Sequence, residues 1–106
     1  GAAKLVEAAE LKGVDNFDTM LAGRLRQHWT KPESAPAGGA TEILVQFAPD
    51  GTVTNALVTK SSGDKVVDDS VIQAAANLAR IPEMSSISPK IYSKYLQQRS
   101  IKFELK

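Results

Sequence analysis

Cysteine is absent from this 106-residue chain, which removes thiol catalysis, thiolate metal sites and disulfides together. Its absence leaves the compartment open, because secreted and cytosolic proteins alike do without it. Histidine occurs once, as His28, with no second histidine and no nucleophile at a recognisable spacing. No apolar run approaches the roughly 20 residues that a membrane-spanning helix needs. Neither sign of charge dominates: 13 basic and 12 acidic residues are spread along the chain for a formal +1. Without a basic stripe interleaved with aromatics, nucleic acid is not an expected partner. The start, Gly1-Ala2-Ala3-Lys4, has no signal-peptide pattern. It reads as a cut inside a longer protein, with targeting and anchoring segments lying elsewhere.

The chain does contain the means to build a core, with 42% hydrophobic residues in a length suited to one domain, or one domain plus a tail. The most informative stretch is Ala48-Pro49-Asp50-Gly51-Thr52-Val53. Before it, Thr41-Glu42-Ile43-Leu44-Val45-Gln46-Phe47 alternates as a half-buried strand does. Pro49 presets a turn, Asp50 bonds its own backbone, and Gly51 supplies a positive φ. Val53 to Lys60 is β-prone again, and Ser61-Ser62-Gly63-Asp64 stops that strand and starts a helix. The pattern is a β-hairpin followed by a covering helix. On φ alone, Gly51→Val is expected to cost about 1–2 kcal/mol.

Residues 1–13 are rich in Ala, Glu and Lys and read as a helical linker remnant, interrupted at Gly13; the domain proper is placed at 14–106. Asp15 or Asn16 is the expected cap of the next helix. Phe17, Leu21, Leu25 and Trp29 recur at four-residue steps, with Met20 beside them, so that helix is expected to run to about Trp29. Residues 31–40 form a loop with two prolines and two glycines. After the hairpin, Val67, Val71, Ala74, Ala75 and Leu78 mark the inner face of a helix, with Lys65, Asp69, Gln73 and Arg80 outside and Ile81-Pro82 as its stop. Residues 83–99 are irregular, with a short helix suggested by Ile91, Tyr92, Tyr95 and Leu96. Ile101 to Leu105 alternates strictly, as a strand.

The fold class is therefore α+β: a three-stranded antiparallel or mixed sheet with helices packed on one face. The hairpin makes strands one and two antiparallel. A single helix returns the chain so that strand three runs parallel to strand two and pairs with strand one, in the order 2-1-3. Phe17, Leu21, Leu25, Ile43, Val45, Phe47, Val67, Val71, Leu78, Ile101 and Phe103 are the expected core.

Few residues suggest chemistry. His28 falls within the apolar helix face, where a half-buried polar residue at a helix end is favoured over a catalytic base. Asp64, Asp68 and Asp69 lie in the first turns of a helix, where capping and complementing the helix dipole are favoured over a cation site. Ser61-Ser62-Gly63 lacks the glycine pattern and lysine of a phosphate loop. Trp29, Tyr92 and Tyr95 suggest a carbohydrate or peptide platform, but aromatics at helical spacing usually belong to a core. Nothing assembles a nucleophile, a base and an oxyanion site, so an enzyme is not expected. A small ligand-binding or enzymatic domain using His28 and the aspartates is the competing class; a filled core with exposed aspartates would count against it.

Taken in order, Trp29-Thr30-Lys31-Pro32, Phe47-Ala48-Pro49-Asp50-Gly51-Thr52-Val53, Lys60-Ser61-Ser62-Gly63, Asp68-Asp69-Ser70 and Ile81-Pro82 resemble the C-terminal (third) domain of the TolA family, over residues 15–105. That domain is similar in turn to the C-terminal domain of TonB. Some members carry a cysteine pair that this chain lacks, and residues 83–99 match no motif. The resemblance implies a periplasmic adaptor without cofactor or metal, anchored in the inner membrane by a segment outside this chain and driven by TolQ–TolR. It implies TolB and Pal as partners, with colicins and filamentous phage coat protein exploiting the same domain. A TonB-type domain engaging outer-membrane receptors is the alternative.

The partner site is expected on the last strand, at Ser100, Ile101, Lys102, Phe103, Glu104 and Leu105. Order 2-1-3 leaves that strand with an unpaired side, no proline interrupts it, and an unpaired edge is a template for an extended peptide.

Overall fold

The computed structural model describes residues 2–33 and 38–105, so part of the proline- and glycine-bearing loop lies outside the described residues. Its elements are α1 (Ala2–Gln27), β1 (Ala40–Phe47), β2 (Val53–Lys60), α2 (Lys65–Leu78), a 3₁₀ turn (Pro82–Ser86), the single-turn α3 (Pro89–Ile91), a π turn (Tyr92–Leu96) and β3 (Gln98–Glu104).

Strand β1 dictates the layers. Thr41, Ile43, Val45 and Phe47 are buried, while Glu42, Leu44 and Gln46 sit on the open face. The period-two pattern thus turns one side of the sheet to the helices and the other to solvent. The order is β2-β1-β3, with both neighbours antiparallel to β1. All eleven residues expected in the core are buried, together with Val14, Ala74, Ala75, Ile81, Met84, Leu96 and Leu105. Two edge-to-face ring pairs lock it: Phe17 on Phe47 at 5.7 Å and Trp29 on Phe103 at 4.9 Å.

The first helix differs from expectation. It runs unbroken through Gly13, with no cap at Asp15 or Asn16. A mid-helix glycine costs only about 1 kcal/mol, which the helix-forming residues on either side offset. From Leu5 onward the first buried side chain is Val14, so the helix is seated in the core only from there. The helix ends at Gln27, so Trp29 lies beyond it. Its ring still reaches the core, and its Nε1–H donates to Ser70 Oγ at 2.8 Å. His28 is exposed rather than half-buried.

The hairpin turn closes with the Gly51 N–H donating to the Ala48 carbonyl at 2.9 Å, and Thr52 N–H donates to Asp50 Oδ1 at 3.0 Å. That second bond holds the Asp50 carboxyl below its ordinary pKa. The end of α2 is also a correction: Ile81-Pro82 is not its stop. The helix stops at Leu78, where Ala79 takes φ 63° and Arg80 N–H donates to the Leu78 carbonyl at 2.6 Å. This is a γ-turn, a strained conformation for a residue with a side chain. It directs residues 79–81 along the start of β2: Val53 N–H bonds the Ala79 carbonyl, and Thr52 pairs with Arg80. Between the 3₁₀ turn and β3 the chain is held by Leu96, which is buried, and by the Tyr92 hydroxyl, which donates to the Phe47 carbonyl at 2.7 Å.

Candidate partner-binding edge

A sheet of order β2-β1-β3 has two outer edges. Strand β2 is the poorer template. Its pairing with β1 slips at Glu42/Ile43 and again at Gln46/Phe47, and such bulges twist an edge away from a regular ladder. Its beginning is covered by residues 79–81. Leu57 and Val58 are nonetheless exposed there.

Strand β3 keeps one register over seven pairs, from Ala40↔Glu104 to Gln46↔Gln98. Two flanking bonds extend that register: Phe47 N–H to the Gln97 carbonyl and Leu105 N–H to the Gly39 carbonyl, each 2.9 Å. They identify the odd-numbered residues of β3 as those that bond across to β1. The even-numbered ones direct their main chain outward, because bonded and non-bonded pairs alternate along an antiparallel ladder.

The six residues singled out from the sequence therefore divide in two. Ile101, Phe103 and Leu105 bury their side chains in the core and turn their main chain inward. Ser100, Lys102 and Glu104 are exposed, with the main chain on the outer side. Gln98, one turn of the ladder earlier, joins them and was missed, because the alternating pattern was read only from Ile101.

Helix α1 flanks this edge. Arg99, on the helix side of β3, makes a two-pronged ion pair with Asp18, at 2.8 and 2.6 Å. Hydrogen bonding to Asp18 raises the Arg99 pKa further. Eight residues along the helix, Arg26 Nη2 donates to the Glu104 carbonyl at 2.7 Å. Helix and strand thus run side by side in the same direction. Arg26 is the second residue that the sequence did not reveal, since nothing in its spacing ties it to a strand 78 residues away.

The other candidates resolve into structure. Asp64 caps α2, its carboxylate accepting from the N–H groups of Val66 and Val67. Asp69 pairs with Lys65 one helical turn back, at 3.1 Å. Asp68 is neither cap nor surface charge: it is buried, and accepts from Thr41 Oγ1, Ser61 Oγ, Ser62 Oγ and Ser62 N–H. Burial opposes its charge, but the four donors outweigh burial and hold its pKa below the ordinary value. Ser61-Ser62 is thereby explained as a clasp joining β1, the β2–α2 turn and α2. Trp29 and Tyr92 do not share a platform. Trp29 packs on Phe103, opposite the start of β1, and Tyr92 bonds Phe47 at its end. Among the described residues, no group of three or more His, Cys, Asp or Glu gathers in a metal-binding arrangement, and no helix is long and apolar enough to cross a membrane.

The Asp68 clasp has a pH consequence. A carboxylate whose pKa is depressed on folding contributes stability that is fully present above its unfolded value, about 3.9. That stability is lost as the pH falls through the lower, folded value. Asp68→Asn is expected to cost about 1–3 kcal/mol at pH 7, since the amide presents a donor to groups that are themselves donors. Urea unfolding of both proteins between pH 7 and pH 2 checks this: the gap should narrow below about pH 4. A constant gap would mean that the charge of Asp68 contributes nothing.

A family model described as TonB C terminal matches residues 14–100. The chain belongs to the TonB C-terminal family. Within this family it is similar to the Tol-Pal system protein TolA of Pseudomonas aeruginosa, at 39% identity over 89 residues. That alignment covers 84% of this chain and 26% of the relative, so the chain spans about a quarter of the relative's length. Among solved structures of the family, the solution NMR structure of TolAIII bound to a peptide derived from the N-terminus of TolB matches with a TM-score of 0.77 at 39% identity. The match covers 84% of this chain and 72% of that one. The sequence resemblance to the TolA C-terminal domain and the α+β fold with order 2-1-3 are both borne out.

Proposed function

We propose that this chain is the periplasmic partner-binding domain of a Tol-Pal envelope adaptor, and that it binds the N-terminal segment of TolB by adding it as a strand to the outer edge of β3. The observation that carries this reading is the regular outer edge at Gln98, Ser100 and Lys102, in a fold whose solved relative holds a TolB peptide. Main-chain bonds supply affinity in such an addition, and alternate side chains supply selectivity. In the whole protein, an inner-membrane anchor and the TolQ–TolR motor would act through this domain on TolB and Pal. Colicins and filamentous phage coat protein would use the same domain for entry. The role is that of an adaptor, with no chemistry of its own. The second reading is a TonB-type domain for outer-membrane receptors, favoured by the match to a TonB family model. Parallel titrations with a TolB N-terminal peptide and a TonB-box peptide separate the two.

Lys102→Pro tests the edge directly. The Lys102 N–H points outward, so proline removes a donor the partner needs and none the fold uses. Peptide binding should be abolished while thermal stability changes little. Lys102→Ala should weaken binding only slightly, since an exposed rim charge is worth little. Amide perturbations confined to the outer edge of β2 or to helix α2, with residues 98–105 silent, would overturn the β3 mechanism.

A further inference from the structure

Arg26 is an exposed side chain held by three separate contacts. Its guanidinium donates to the Glu104 carbonyl, lies 4.8 Å from the centre of the Phe103 ring, and lies 6.0 Å from that of Trp29. The rings are fixed in turn, Trp29 by Ser70 and Phe103 by the core. A cation seated over aromatic faces with a charge-assisted bond to a carbonyl has a defined place. The register puts that carbonyl on the outer side of β3, among the acceptors an added strand must reach.

We propose that Arg26 closes the C-terminal end of the β3 edge and so sets the register in which a partner strand pairs. The inference rests on the edge reading above and narrows it. A strand that runs past Lys102 must offer its own N–H to the Glu104 carbonyl, and there it meets a guanidinium already bonded. Main-chain pairing therefore stops short of the Glu104 carbonyl, and the partner is an extended segment only a few residues long. The same closure shortens the template available to a second copy of this chain, which an open seven-residue edge would otherwise invite. Arg26 thus acts as a positioning residue and specificity determinant, through the strand it blocks.

The test is a titration of ¹⁵N-labelled protein with a synthetic TolB N-terminal peptide, followed residue by residue. In the wild type, perturbations should centre on Gln98, Ser100 and Lys102 and leave the Leu105 amide, which shares a peptide plane with the Glu104 carbonyl, unmoved. In Arg26→Met, which keeps an apolar stem over Phe103, the footprint should extend to the Leu105 amide. Affinity should rise about threefold or more, the worth of roughly one additional main-chain bond. Arg26→Lys keeps a cationic donor on a stem of similar reach and should retain the wild-type footprint, as a purely steric role for the arginine would not require. A footprint on β3 that is the same in wild type and Arg26→Met overturns the role of Arg26 and leaves the edge reading standing. A footprint that avoids β3 altogether overturns both.

Discussion

Truncation of Phe103 to alanine should remove about 3–5 kcal/mol of stability, against the roughly 5–15 kcal/mol that a whole domain possesses. Its ring is almost wholly buried. It sits edge-on to Trp29 at 4.9 Å and beneath the Arg26 guanidinium. Removing it leaves a cavity under β3 and takes away the surface on which Trp29 rests. Two observations should therefore move together: a lowered urea midpoint, and a red-shifted, more exposed Trp29 fluorescence in the protein that remains folded. Phe47→Ala should cost a similar amount, because its ring meets Phe17 edge-on at the other end of the central strand. Losses below about 1 kcal/mol at both positions would mean that the burial of these two rings contributes little to stability.

Gly51→Ala should be nearly as damaging, for a different reason. Gly51 has φ 89°, which already disfavours any side chain. A Cβ at that position would also come within 1.9 Å of the Ile81 carbonyl oxygen and 2.8 Å of the Met84 Cβ. The backbone of the hairpin turn packs directly on the backbone after α2, and Ile81 N–H bonds the Gly51 carbonyl at 2.8 Å. Neither main chain can yield without breaking that bond. Summing the left-handed strain, about 1–2 kcal/mol, and an overpacking penalty of about 1–3 kcal/mol gives a cost near 2–5 kcal/mol. The figure of about 1–2 kcal/mol drawn from the sequence for Gly51→Val likewise counts only the backbone strain. Gly63 provides the control, with φ 95° and nothing within 4 Å of an added Cβ. Gly63→Ala should show the strain alone. Equal losses at the two glycines would show that the contact with Ile81 contributes nothing.

Where side-chain period and burial coincide, the sequence was enough. Ile43, Val45, Ile101 and Phe103 alternate because one sheet face is covered, and Val67, Val71 and Leu78 recur because α2 lies on it; both patterns can be read without coordinates. The same logic failed at β2, whose residues are β-prone but mostly exposed, so that propensity placed the strand and said nothing of its two slips in register. Gly13 looked like a break because its local cost was visible, whereas the helix on either side that absorbs it acts over a longer range. Ala79 carries no mark in the sequence: its strained turn is imposed by Val53 and Thr52 across the gap. The candidate edge was legible as a strand, but the choice of Gln98, Ser100 and Lys102 depends on which residues bond to β1. Asp68 and Arg26 owe their roles to partners distant in the chain, and local spacing could not disclose either.

The unbroken course of α1 has a mechanical meaning. Its 26 residues form a stiff rod of about 39 Å, along a molecule whose longest dimension is 50 Å. Asp18 and Arg26 fasten that rod to the two ends of β3, with helix and strand pointing the same way. A pull applied at the N-terminal end of the rod is thus directed along the axis of β3. A peptide lying alongside that strand would feel the pull as sliding, which loads all its main-chain bonds at once. Pulled across the sheet instead, the same bonds would open one after another. A short segment bound by few contacts can in this way hold under tension far better than its equilibrium affinity alone suggests.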